Sequence, residues 1–346
     1  MLKKIVLATA LLGIVILGIF SYRIYQAFLG PNTAFEQDTY NLKIPTNATA
    51  QQVLDSLMPA LKDAETFVEV AQRKQYFKAI KAGNFYLKKG MNNNAIVNTL
   101  RSGNTPVAVV FNNQERIEDL AGRISQQLEP DSLSFLKAFK NPEFLDQINM
   151  SEKQMLALFI PNKYEFYWNT SPEQFLERMQ KEYDRFWTEA RRQKAAALNL
   201  SEVEVISLAS IVQKETQQRD ESPRVAGVYI NRLKRGMKLE ADPTVIYAKK
   251  LMDDDFGQVI KRVLYRDLSI DSPYNTYRYE KLPPGPIYMP DIATIDAVLN
   301  YEKHEYLFFV ADIQKPGYHK FSKTLAQHNA YAAIYRRWVQ QQGVFR

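Results

Sequence analysis

The sequence predicts an α+β protein held to a membrane by one amino-terminal helix, and three observations predict it. Two lysines open the chain and a long uncharged apolar run follows them. Strand–turn–helix units then recur three times within about 90 residues. Further on, capped helices surround a proline-dense loop. With 346 residues and 46% hydrophobic content, the chain has material for about two cores besides the apolar run.

The run comes first. After Lys3 and Lys4 no charged residue occurs from Ile5 to Tyr22, and Arg23 ends the stretch. As a helix this spans about 27 Å, enough to cross a bilayer core. A secretory signal would begin the same way. However, Ile19-Phe20-Ser21-Tyr22 is too bulky for a small-x-small cleavage site, which favours an uncleaved anchor. The expected layout is a cytoplasmic tip at 1–4 and a single-pass span of the inner membrane at 5–22, with the remainder outside. Residues 23–40 read as a linker, broken by Gly30-Pro31.

Composition then removes several chemistries. There is no cysteine, so disulfides, thiolate metal sites and cysteine nucleophiles are excluded. Three histidines, His304, His319 and His328, leave little for a metal site, and none is expected. No GxxxxGK or GxGxxG loop occurs, and no cofactor is expected. The net charge of +7 suits a nucleic acid, an anionic lipid or an acidic polymer. A chain facing away from the cytoplasm is not expected to meet nucleic acid.

Residues 41–129 form the first folded block. Leu42–Pro45, Asn84–Leu87 and Val107–Phe111 read as strands. Helices follow each, at Thr49–Leu57, Asn94–Leu100 and Arg116–Leu128, with an extra helix near Glu65–Lys78. Strand, helix, helix, strand is similar to the layout of a LysM-type sugar-binding module, and a plain structural domain fits equally. From Pro130 to Leu198 the pattern is mostly helical, with Phe175, Tyr183, Phe186 and Trp187 on one packed face.

The chemistry concentrates after Ser201. Ser201 and Glu204 form a capping box for a helix running to Glu215. Leu208, Ile211 and Glu215 share its apolar stripe, and Ser207, Ser210 and Lys214 form the neighbouring polar one. Burial and the carbonyl end of the helix should both raise the Glu215 pKa, which suits a general acid. On spacing alone, a surface glutamate at a frayed helix end fits as well. Ser222-Pro223 opens a second helix that stops at Gly236, and Asp242-Pro243-Thr244 opens a third, with Ser222 and Asp242 as expected N-caps. The loop Ser272–Ile287 holds Asn275, Tyr277 and four prolines. Aromatic faces beside amides suit a sugar ring, and a rigid structural loop is the alternative. Tyr306–Val310 reads as a buried strand, and a final helix passes His328.

These residues resemble one family. Leu208-Ala209-Ser210-Ile211-Val212-x-Lys214-Glu215-Thr216, Val225-Ala226-Gly227-Val228-Tyr229-x-Asn231-Arg232-Leu233 and Asp242-Pro243-Thr244-Val245-Ile246-Tyr247 look like the endolytic murein transglycosylases (YceG-like). Ser272–Tyr277, Leu282–Ile287, Phe308–Asp312 and Phe321–Asn329 continue the series in order over roughly residues 40–335. The family often has Glu-Lys-Glu where this chain has Gln213-Lys214-Glu215. Its acidic Leu-Phe-Pro-Asp-Thr-Tyr segment appears as Leu158-Phe159-Ile160-Pro161-Asn162-Lys163-Tyr164, and Glu240 replaces a common glutamine.

The resemblance implies a catalytic domain at 130–346 that cuts the β-1,4 bond between N-acetylmuramic acid and N-acetylglucosamine within peptidoglycan strands. The products would carry 1,6-anhydro ends. The resemblance puts the catalytic glutamate at Glu215, and it implies partnership with peptidoglycan synthases in releasing nascent strands. Asp242, Asn275, Tyr277 and Thr244 are the expected substrate-binding residues. A lysozyme-type hydrolase using Asp242 or Glu240 as second carboxylate and an inactive glycan-binding scaffold are the competing functions.

Overall fold

The computed structural model describes residues 2–342, and they divide into two compact units. Among the described residues, unit 1 runs from residue 2 to Val109 and includes Ser125–Asp131 and Tyr164–Ser171, and unit 2 holds the others. The chain first leaves unit 1 at Val109 and returns to it twice.

Unit 1 begins with α1, Leu2–Leu29, the one continuous helix among the described residues that is long and apolar enough to cross a membrane. It runs beyond the expected 5–22. Residues 23–40 are therefore not a loose linker: helix continues to Leu29, and Asn32, Thr33 and Phe35 are buried. The reason is polar. Asn93 donates to the Ala27 carbonyl (2.8 Å) and accepts from Asn32 (2.7 Å), so buried amides satisfy carbonyls that the helix end leaves orphaned.

The block that follows has the expected order. Strand β1, Thr39–Ile44, leads to α2, Ala50–Leu57, capped by Thr49 with Gln52 reciprocating. Helix α3, Ala64–Arg73, and strand β2, Gly83–Lys88, complete a strand–helix–helix–strand unit. β1 and β2 pair antiparallel, with Leu42 opposite Phe85. Helix α4, Asn93–Ser102, follows. Ile44, Leu57, Phe67, Phe85 and Ile96 form the core of the unit.

Strand β3, Val107–Phe111, pairs with β4, Asn162–Phe166; between them come α5, Ile117–Ser125, α6, Ser132–Phe139, and α7, Pro142–Gln147. Helices α8, Pro172–Phe186, and α9, Glu189–Ala197, follow. Phe135, Phe139, Phe159 and Phe175 pack edge to face, tilted and stacked, with ring centroids 5.0–6.4 Å apart. Helix α10, Glu202–Glu215, is the centre of unit 2, packed by α11, Ser222–Lys234, α12, Asp242–Asp253, and α13, Ile292–Leu299. Strands β5, Phe308–Ala311, and β6, His319–Ser322, pair antiparallel beside α14, Leu325–Gln341.

Three local expectations change. Strand β5 starts two residues later than expected and is half-buried, because the expected Tyr306–Val310 run has its first residues outside the ladder. The helix starts move by one residue: Glu221 and Ala241 occupy the N-cap positions, while Ser222 and Asp242 are the first helical residues. Of the polar stripe of α10 only Lys214 faces water. Ser207 and Ser210 are buried, Ser210 accepts from the Ile287 backbone (3.1 Å), and Gln213 binds Asp291 and Thr294. Ser210 thus holds the end of the proline-dense loop.

Candidate active site

Glu215 ends α10. The capping box at Ser201 fixes the start of this helix: Ser201 accepts from the Glu204 backbone and donates to the Glu204 carboxylate. The helix interior is buried on nearly all sides, so its last residue is placed by the core and not by solvent. Glu215 keeps partial exposure, and protein surrounds its carboxyl closely.

Helix α11 supplies the first partner. The Tyr229 hydroxyl donates to Glu215 Oε1 at 2.6 Å, and among the described residues Oε2 makes no hydrogen bond. Tyr229 is itself buried, which pushes its hydroxyl pKa well up and keeps it a donor. Burial raises the Glu215 pKa to about 7; the Tyr229 bond and Arg232 pull it down, and the Asp242 charge pushes it up. A carboxyl balanced there can lose and regain a proton at neutral pH.

Arg232 lies one turn beyond Tyr229. Its guanidinium donates to the carbonyls of Leu307 (2.7 Å) and Leu239 (2.9 Å) and to Glu240 (3.0 Å). These bonds fix the turn before α12, where Glu240 takes the left-handed conformation (φ 50°). Gly227, on the same helix, is required by close approach: a Cβ there would sit 2.5 Å from the Glu302 carbonyl oxygen.

Asp242 is exposed in the first turn of α12 and accepts from the Tyr277 hydroxyl at 2.7 Å. The position suits its charge, since a helix start favours an anion. Tyr277 is held in turn. Asn275 accepts from the Tyr277 backbone (3.0 Å) and donates to the carbonyls of Leu268 and Ile270. Thr276 accepts from the Ala241 backbone (3.0 Å), and its hydroxyl meets that of Thr244 at 2.8 Å.

Of the five expected site residues, the structure thus brings together Glu215, Asp242 and Tyr277. Asn275 and Thr244 are placed behind them. Both are fully buried, and their polar groups are spent on the protein, so neither has an atom to offer a sugar. They position the loop and the start of α12.

Sequence reasoning missed Tyr229, Arg232 and a buried bracket. The signal for the first two was present: Tyr229 and Arg232 are i, i+3 on an otherwise apolar helix face. The bracket is Glu221, a buried carboxylate that accepts from Thr216 (3.0 Å) and from the His319 backbone (2.7 Å), with His319 Nδ1 at 2.8 Å. Thr216 is the C-cap of the helix that carries Glu215. His319 also meets the Phe309 ring, and Phe309 meets Tyr229, both edge to face. These contacts join residues far apart in sequence, which no spacing rule anticipates.

Comparison with known proteins gives one answer. The YceG-like family matches residues 42–334. A Bacillus subtilis (strain 168) protein named endolytic murein transglycosylase is 28% identical over 323 residues, covering 88% of this chain and 87% of its own. A protein of the same name from Streptococcus pneumoniae (strain D39) is 24% identical over 329 residues, and the chain spans 58% of its length. Among solved structures, a yceG-like protein from Listeria monocytogenes matches with a TM-score of 0.55 and 28% identity, covering 85% of this chain and 99% of its own. The fold, the ordered motifs and a family match over most of the chain agree: this protein belongs to the YceG-like family.

Proposed function

We propose that this chain is an endolytic peptidoglycan lytic transglycosylase that cleaves the bond between N-acetylmuramic acid and N-acetylglucosamine. The observation that carries the reading is Glu215, a carboxyl near its midpoint at neutral pH with Oε1 held by Tyr229 and Oε2 without a hydrogen bond among the described residues. Protonated Glu215 donates from Oε2 to the glycosidic oxygen as the C1–O bond breaks through an oxocarbenium-like centre. The carboxylate formed then takes the proton of the muramyl C6 hydroxyl while that oxygen bonds to C1. The products are a free 4-hydroxyl on one strand and a 1,6-anhydro ring on the other, and Glu215 is protonated again. Water is not consumed.

The hydrolase alternative needs a second carboxylate. Asp242 accepts from Tyr277 and Glu240 pairs with Arg232, so both acids are engaged in holding the site. That favours one carboxyl acting twice. In this reading Asp242 and Tyr277 orient the sugar.

The rest of the chain fits the same reading. α1 is a single-pass anchor in the cytoplasmic membrane, with Lys3 and Lys4 inside and unit 2 on the outer side. The strand–helix–helix–strand part of unit 1 acts as a LysM-like glycan-holding module. Cleaving new strands near their membrane origin places the protein beside peptidoglycan synthases.

The test incubates the full chain in detergent micelles with purified glycan strands, beside Glu215→Gln, and reads the new ends by mass spectrometry. Anhydro ends, one water lighter than reducing ends and absent with the variant, support the proposal. Reducing ends would make the protein a hydrolase, and no cleavage with binding intact would make it a scaffold.

A further inference from the structure

A cavity of about 280 Å³ lies in unit 2 between the end of α10 and the start of α12. Lys214, the neighbour of Glu215, and Pro243, the neighbour of Asp242, both line it. Successive side chains diverge by about 100° around a helix, so Lys214 looks to one side of the carboxyl that Glu215 presents.

Two properties mark the cavity. Its charge does not close. Glu115 binds Lys214 (3.0 Å) with one carboxylate oxygen and Lys250 (2.7 Å) with the other. Two ammonium groups against one carboxylate leave one positive charge, and the Lys250 side chain is only 12% exposed. A largely buried ammonium that shares its one carboxylate with a second, more exposed lysine favours an incoming anion. The second property is apolar. Ile246, Ile260 and Ile287 line the wall, and Val259 stands 81% exposed at the cavity, on the segment that follows α12. An aliphatic side chain in water beside a cavity gains free energy when a ligand covers it.

An uncharged sugar ring has no use for a buried ammonium beside aliphatic walls. A short peptide with methyl side chains and a free carboxylate uses both. In peptidoglycan such a peptide branches from the lactyl group of the muramyl ring, away from the anomeric carbon. A strand placed with its scissile bond at Glu215 would therefore send its peptide arm to the side. We infer that this cavity is the seat of the carboxylate-bearing peptide arm of the muramyl residue, so that the enzyme distinguishes peptide-bearing strands from stripped ones. The inference rests on the transglycosylase reading for the identity of the substrate.

The test separates the two. The full chain carrying Glu215→Gln, in micelles, is titrated with fluorescent uncrosslinked strands, either peptide-bearing or stripped of peptide by an amidase. The peptide-bearing strands should bind about 10-fold more tightly. Adding Lys250→Met, which keeps the stem and removes the charge, should erase the difference. Val259→Glu should do the same by repulsion, and its exposed position protects the fold. Equal affinity for the two strands, or a preference that survives both substitutions, overturns the inference. Cleavage by the chain with Glu215 intact is followed in parallel. Its absence would sink the transglycosylase reading while the binding preference still judges the subsite.

Discussion

Tyr229 donates a 2.6 Å hydrogen bond to Oε1 of Glu215, and this bond opposes the burial that raises the carboxyl. The pair sets the working pH of the site. The acid form of Glu215 starts the reaction, so kcat/KM should fall as pH rises through about 7. Tyr229→Phe removes a bond that favours the charged form. Its alkaline midpoint should move up, and kcat should fall about 10-fold or more because the carboxylate intermediate loses its donor. A pH–rate series on both proteins checks this; an unmoved midpoint would count against the pairing.

The same carboxyl costs stability. Its folded pKa of about 7 exceeds the ordinary 4.5, so between these pH values the unfolded chain binds fewer protons than the folded one. Stability therefore falls as pH rises from about 4.5 to 7 and the loss is complete above. The full shift corresponds to about 3 kcal/mol, reduced by the water that reaches this partly exposed side chain. Glu215→Gln should be more stable than the native chain at pH 8 by about 1–2 kcal/mol, with the gap closing below pH 4.5. Denaturant unfolding at the two pH values reads it.

Asp242 and Asn275 should fail in different ways. Asp242→Asn removes a charge that raises the Glu215 pKa, so its alkaline midpoint should move down while the melting temperature stays within a few degrees. Asn275→Ala leaves the Leu268 and Ile270 carbonyls and the Tyr277 N–H without their partner. It should cost about 2–4 kcal/mol of stability without moving that midpoint. Paired melting curves and pH profiles distinguish the two, and a stable Asn275→Ala with weakened sugar binding would restore Asn275 as a ligand.

Glu221 should act through Glu215 without touching substrate. Glu221→Gln turns an amide towards groups that already donate, Thr216 and the His319 backbone among them. The C-cap of α10 should shift, and a displacement of under about 1 Å at Glu215 is enough to lower kcat by 10-fold or more. KM should change less than about twofold. Equal losses in kcat and in folded fraction would reduce the bracket to a purely structural role.

Much of this was legible in the sequence because it is local. The apolar run, the capping box at Ser201, the order of strands and helices in unit 1, and Glu215 on the buried stripe of its helix are set by residues within a few positions of one another. Hydrophobic periodicity and capping chemistry act over that range. Tertiary structure decided what depends on chain segments far apart. Asn32 and Asn93 turned an expected linker into a packed helix end, and the expected polar stripe of α10 became the seat of a loop. Asn275 and Thr244 proved to be braces, and Tyr229, Arg232, Glu221 and His319 converged on the site. A side-chain amide or hydroxyl reads the same in sequence whether it faces a sugar or a neighbouring carbonyl; burial and partners settle which, and only the fold supplies them.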